Sequence, residues 1–353
     1  MNGRNSPKWI IVTLGVAGLA LFIWLLPWWV IGFGLDDFRT KYGYINRQGE
    51  VVIPAQFSSA GDFSEGLAAV LVNDGPEPHG YGFIDTVGKM VIAPRFRNAH
   101  RFSEGLAAVS VPHPAHPDDP EDEIWGVIDK SGRFVVEPKF GWIDTFSEGL
   151  AAYCERACYS PHPFTAGANR DVGYIDKLGH IVIPPLFYDA KPFSEGLAAA
   201  FAEAPKAHLK PRYGYIDHAG RFVIAPQFER VGRLAQGLAA ADRGFIDRKG
   251  NYVITVPDGA EPHDFSDGLG RIDYKNEFDI KTHSVFIDPQ GAEFLRVENA
   301  WNSSFHEGLL GTNVDGRDVF IDKEKNIVLE PKTHGYMPVR FSEGLAVFDV
   351  LVR

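Results

Sequence analysis

Cysteine is nearly missing from this chain: two residues in 353 allow one bridge at most, so no disulfide framework holds the fold. Basic excess is missing too. Lys and Arg number 35 against 46 Asp and Glu, a net charge of −11, the wrong sign for nucleic-acid binding. No HExxH, no GxSxG and no phosphate-cradling glycine loop occurs, so the short signatures of metalloproteases, serine hydrolases and nucleotide binders are absent. After Leu35 no amphipathic helical stretch of useful length is found. Hydrophobic residues at 45% and aromatics at 13% nevertheless supply a real core and exclude general disorder.

Charge is also lacking between Trp9 and Leu35, a run long enough to cross a bilayer as a helix. Arg4 and Lys8 precede it while Asp36 and Asp37 follow. Retention of basic residues on the cytoplasmic side predicts a head (1–8) inside, a transmembrane helix (9–35) and an exported domain (36–353). Trp24, Trp28 and Trp29 fall at the outer end, where indoles favour the headgroup zone. A cleaved signal peptide fits less well, because the apolar run is long and no clean A-x-A site follows. The expected location is a bacterial inner membrane, single-pass, with the carboxyl-terminal domain periplasmic or extracellular.

What the domain has is repetition. Phe63-Ser64-Glu65-Gly66-Leu67 returns at Phe102, Phe146, Phe193 and Phe341, and in altered form at Leu234, Phe265 and Phe305. An aromatic-Ile-Asp opening accompanies each copy, as in Phe83-Ile84-Asp85 and Tyr174-Ile175-Asp176. Eight units of about 40 residues result, the length of a repeat architecture. Within a unit, Ile-Asp-x-x-Gly before an apolar run predicts a hairpin, with Asp starting the turn and Gly left-handed. Pro54, Pro94, Pro138, Pro184 and Pro226 are expected to close the strand that follows. Gly-Leu-Ala-Ala predicts a further strand in a crowded place. The fold class is thus all-β: antiparallel units of three to four strands. The array starts without a LAAV strand and ends without a GYID strand, a phase that favours a closed propeller-like ring over an open β-solenoid.

The Tyr42-Gly43, Tyr81-Gly82, Trp125-Gly126 and Tyr213-Gly214 pairs, with the IDxxG turn and FSEGLA, resemble the WG (KWG-type) repeat of bacterial proteins. Units six to eight depart from it: Arg243-Gly244 lacks the aromatic, and Val285 and Val319 replace the glycine. The resemblance implies a repeat scaffold, often in envelope or secreted proteins, and implies no catalytic residues.

The repeated acids at Glu65, Glu104, Glu148 and their equivalents are read as structural, since acid–base catalysis needs unequal groups in one asymmetric pocket. The expected role is bonding of turn amides. Function is sought where units differ, in the tips before each opening: 73–80, 110–124, 154–172 and 201–212. Candidate binding residues there are His113, His116, Asp118, Asp119, Glu121, Asp122, Glu123, Tyr159, His162 and Phe164. Cys154 and Cys158 are a candidate disulfide in an oxidising compartment. The histidines and acids could bind a cation, but Pro112, Pro114, Pro117 and Pro120 predict an extended segment that does not converge ligands, so neither metal nor cofactor is expected. The reading is a membrane-anchored, non-enzymatic scaffold that binds another envelope protein. Its rivals are an envelope-polymer hydrolase and a glycan-binding module using Tyr159, Phe164 and Trp301.

Overall fold

The computed structural model describes residues 39–73, 79–119, 122–155, 172–202, 212–276, 278, 281–298, 304–331 and 340–352. The expected head and transmembrane helix lie outside these residues, and no described helix is long and apolar enough to cross a membrane. Two units divide the chain, Lys41–Val350 and a second formed by Met1–Thr40 with Leu351–Arg353; the first holds the repeats.

Eight small antiparallel sheets form a propeller-like ring. Blade one is built from Ser59–Ala60, Leu67–Val72, Gly80–Asp85 and Met90–Phe96, in that order across the sheet. Six sheets have four strands, and those of blades five and seven, which begin at Ala239 and Leu310, have three. Blade eight is a composite. Phe341–Ser342 and Leu345–Val352 pair into one sheet with Arg39–Asn46 and Val51–Phe57, so the carboxyl end fastens to the amino end. The ring is closed, and no solenoid edge needs a cap. The two-residue first strand has no hydrophobic pattern, and the expected LAAV–GYID–VVIP meander lacked it.

Both repeated motifs are blade-to-blade contacts. Phe63 of blade one packs on Tyr44 of blade eight with ring centroids 4.8 Å apart, and Phe102 packs on Phe83 at the same distance. The same pair recurs at Tyr174–Phe193, Phe245–Phe265, Phe286–Phe305 and Phe320–Phe341. Each fully buried ring contributes about 2–3 kcal/mol by area, and each tilted or edge contact about 0.5–1.5 kcal/mol more. The alanines sit between these layers: Ala68 is fully buried and Ala69 nearly so, which is the crowding their repetition predicts.

The prolines do not close their strands. Pro54, Pro94, Pro138, Pro184 and Pro226 lie inside the outermost strand, where pairing slips. That strand is an edge, so a missing N–H costs no ladder bond. The slip explains the glycine before each opening. A Cβ on Gly126 would stand 2.6 Å from Val136 O and 2.9 Å from Pro138 N, because the bulged strand crosses directly over it. In blade six the outer strand Glu293–Val297 has no proline and pairs with Ser284, Val285 and Phe286 without a slip, so Val285 fits there.

The repeated acids work differently from the simple expectation. Asp85 accepts the Val87 and Lys89 amides of its own turn, as predicted. Glu65 does not bond its own turn. It sits with Gly66 at the two left-handed positions (φ 55° and 83°) of a two-residue hairpin closed by Ser64 and Leu67, and its carboxylate accepts the Gly105 amide of blade two at 3.0 Å. Glu104 reaches Gly149, Glu148 reaches Gly196, Glu195 reaches Gly237, Asp267 reaches Gly308, Glu307 reaches Gly344, and Glu343 reaches Gly66. Ser64 Oγ runs in parallel, donating to Phe102 O at 2.7 Å, and Ser342 donates to Phe63 O across the chain ends at the same distance. A base from the next blade covers most of these acids, for example Lys130 on Glu65 at 3.1 Å and Lys177 on Glu104 at 3.0 Å. Partial burial pushes Glu65 up, but the Lys130 and Gly105 hydrogen bonds outweigh it and hold the carboxyl below its usual range.

One joint lacks all three parts. Between blades five and six, Ala235 has no hydroxyl, Gln236 replaces the acid and Pro289 replaces the base; no hydrogen bond joins Gln236 to Gly268 among the described residues. The charge has gone from both sides together, so no lone carboxylate is left behind.

Two measurements test this account. Gly126→Ala is expected to lose about 3 kcal/mol from the Val136 collision, the upper end for overpacking, more than the roughly 1–2 kcal/mol for Gly105→Ala, a left-handed position with nothing within 4 Å. Equal urea midpoints for the two would disprove the bulge argument. Installing Ala235→Ser, Gln236→Glu and Pro289→Lys together should raise stability by about 1–2 kcal/mol; an unchanged or lower midpoint would show that the latches carry no energy.

Candidate functional site

In an antiparallel blade the connection between the second and third strands lies at the end opposite the two flanking turns. The latches gather all the Glu-Gly turns on one face of the ring, so every such tip emerges on the other. The last paired residues at the four long tips are Val72↔Gly80, Pro112↔Glu123, Cys154↔Val172 and Ala202↔Arg212. Blade five spans the same place with Asp242-Arg243 alone, and blade seven with Asp315-Gly316, both residues left-handed.

The tip of blade two is the best described, and it is not extended. The His113 amide donates to Asp122 O (3.1 Å), His116 to His113 O (3.0 Å) and Asp119 to His116 O (3.1 Å), a run of turns. Arg97 holds them from below, its guanidinium donating to the carbonyls of Pro117 (2.8 Å) and Asp122 (3.0 Å) and to that of Asp119. Proline spacing alone suggested a rod; the hydrogen bonds to Arg97, two turns and the loop-closing bond from His113 to Asp122 override it. His116 Nδ1 is 2.7 Å and His113 Nδ1 3.8 Å from Asp122 Oδ2, and the imidazole rings stack at 5.7 Å.

The acidic run thus splits by role. Glu123 is a root, accepting from Asn98 Nδ2 and Ser110 Oγ at 2.8 Å and from Trp125 Nε1 at 3.0 Å. Asp118 and Asp119 are exposed, and Asp122 faces the histidines. In the tip of blade three, Cys154 is fully buried and disulfide-bonded. Glu121, Cys158, Tyr159, His162, Phe164 and Trp301 lie outside the described residues.

A second feature went unnoticed in the sequence. In six of the eight FSEGL copies the residue preceding the Phe or Leu faces a shared space at the centre of the ring. Asp62, Arg101, Thr145, Pro192, Arg233 and Arg340, from six blades, line one cavity of about 490 Å³. The signal was available: this position varies while its neighbours repeat. Arg340 is paired with Asp62, and burial lowers the basicity of His100, against the opposing pull of Asp144 at 3.9 Å.

A third feature holds Ser, Asp and His together in blade six. Ser284 Oγ donates to Asp273 Oδ1 at 2.6 Å, and His263 Nε2 lies 3.0 Å from Asp273 Oδ2. Partial burial raises Asp273, but the hydrogen bonds from His263 and Ser284 and the charge of Arg271 hold its carboxyl far below the usual range. The order is wrong for nucleophilic catalysis, which needs histidine between serine and carboxylate, and Ser284 is fully buried. The group replaces the alanine packing of other blades with an internal ion cluster.

No curated protein matches the sequence. Among solved structures the chain is similar to a prolyl endopeptidase at 9% identity and TM-score 0.49, covering 93% of this chain but 57% of that one. It is also similar to the uncharacterized protein lmo1340 of Listeria monocytogenes (11% identity, TM-score 0.35, 88% and 89% of the two chains). A putative TolB of Agrobacterium tumefaciens gives 10% identity and TM-score 0.31 over 90% and 100%. The sequence profile of the WG containing repeat matches residues 42–75, 81–111, 125–156, 173–201 and 213–242, five consecutive copies carrying the aromatic-glycine pair or its Val172-Gly173 variant. The chain is a WG-repeat protein.

Proposed function

We propose that the ring is a rigid scaffold whose tip face binds another protein of the cell envelope, with residues 9–35 as a membrane anchor and the repeat domain outside the inner membrane. One observation carries this reading: insertions of very different length and composition are rooted on a single face of a frame whose other parts repeat. Latches and stacked rings fix the frame, so differences among the tips change the surface without changing the fold. The described part of blade two's tip presents Asp118 and Asp119 to solvent, which suits a basic partner and speeds its approach more than it tightens the complex.

The hydrolase and glycan readings draw on the same face, and one set of experiments separates them. A photo-crosslinker in the full chain in native membranes should capture a defined protein. Replacing 159–171, or 113–119, by a Gly-Ser linker of equal length should abolish the adduct while leaving the urea midpoint unchanged; the first swap spares Cys154 and Cys158. Adducts that persist in both swaps would disprove tip-face binding. Turnover of peptidoglycan fragments by the purified chain would replace it with the hydrolase, and saturable glycan binding that quenches tryptophan would replace it with the lectin-like reading. Protease added outside intact spheroplasts should digest the repeat domain; full protection would overturn the expected orientation.

A further inference from the structure

We propose that the tip of blade two binds a divalent transition-metal ion of the zinc type through His113, His116 and Asp122. One ligand atom from each of the three lies within 4.8 Å of the others. In a tetrahedral site with bonds of about 2.0–2.1 Å, ligand atoms stand about 3.3 Å apart. The observed separations from Asp122 Oδ2, 2.7 Å to His116 Nδ1 and 3.8 Å to His113 Nδ1, bracket that edge. Small rotations of partly exposed side chains close the difference.

The Ala115 amide donates to His113 Nδ1 at 3.2 Å, and that contact gives way when a cation takes the same lone pair.

Ligand type selects the ion. Two imidazoles and one carboxylate suit zinc or nickel, whereas calcium and magnesium take oxygen donors almost throughout. Three protein ligands leave a fourth position for water. The loop is preorganised as such a site requires, since Arg97, two turns and the loop-closing bond from His113 to Asp122 fix its backbone before any ion binds. The inference stands on these residues and does not depend on the tip face binding a protein.

The test is calorimetric titration of the chelator-stripped full chain with zinc chloride. The expected result is one equivalent bound with a dissociation constant of about micromolar order, unaffected by millimolar calcium and weakening in acid as protons compete for the imidazole nitrogens. His113→Ala with His116→Ala should weaken binding by roughly a hundredfold or more with an unchanged urea midpoint, because both side chains stand clear of the core. Cobalt substitution should give the visible absorption of a low-coordinate N/O site, lost in the double variant and in Asp122→Asn. Zinc binding of equal strength and stoichiometry in the double variant would overturn the assignment. So would no binding by the native chain at about a hundred times the expected constant.

Discussion

The ring depends on a carboxylate that leaves its own turn to bind the next one. A two-residue hairpin with both residues left-handed ordinarily takes Asn-Gly or Asp-Gly, and a longer side chain there carries a conformational cost of about 1–2 kcal/mol. Six of the eight copies use Glu. From that backbone position the carboxylate crosses to the glycine amide of the neighbouring blade, as the shorter Asp267 also does. A charged acceptor on a backbone donor is among the stronger hydrogen bonds. It satisfies a turn amide that the hairpin leaves open, so the cost of the conformation and the gain of the contact belong to one design. The serine hydroxyl points in the same direction around the ring, and the stacked phenylalanine reaches back to the blade before. Because each blade gives to the next and receives from the last, only a closed circle leaves no giver or receiver idle. Ser342 to Phe63 and Glu343 to Gly66 complete it across the chain ends.

The joint where this fails coincides with a change in the sequence itself. The repeat profile ends at residue 242, in blade five, and the latches are missing between blades five and six. Beyond that point the aromatic-glycine pair gives way to valine, the bulge-making prolines disappear from the outer strand of blade six, and Arg271 with Asp273 replaces small apolar residues in its second strand. These are linked changes. A straight outer strand no longer crosses over the preceding residue, so glycine is not required; an absent base makes an acid unwelcome, and glutamine stands there. The later blades are a second solution to the same packing problem, held to the first by Arg230 on Glu261 (2.6 Å) and the Arg233 amide on Asp264 (3.1 Å).

How far the sequence revealed this follows from the kind of interaction involved. Repetition showed the unit, its Asp-x-x-Gly turn and the closing phase, because each is local or depends only on order. The inner strand could not be seen: two residues such as Ser59-Ala60 carry no periodicity. Pro54 and its equivalents misled because the rule that proline ends a strand assumes an interior strand, and these lie on an edge. The acids misled more instructively. Glu65 and Gly66 are adjacent in sequence, yet the amide that Glu65 binds is 40 residues away. In blade two, four prolines suggested a rod, while Arg97, 16 residues before His113 in the bend between two strands, holds the tip in turns.

Uniformity and function therefore divide along physical lines. A position packed against a neighbouring blade, such as Phe63 or Ala68 against blade eight, can change only if its partners change with it, and such positions recur nearly unaltered. A position touching no neighbour is free to vary. The tips meet that condition; the residue before the FSEGL phenylalanine on the axial wall varies too, though Arg340 pairs with Asp62 of the next blade. The axial set mixes Asp62 with Arg101, Arg233 and Arg340, and part of its charge is already paired within the wall. The tips differ in length as well as in charge, and length is what lets a surface follow the contour of another molecule. Only a frame that tolerates insertion can vary length, and a hairpin whose ends are fixed by paired strands, as at Pro112 and Glu123, tolerates it with little loss, because closing a longer loop adds only a slowly growing entropy. The tip face is where this ring can acquire specificity without giving up closure.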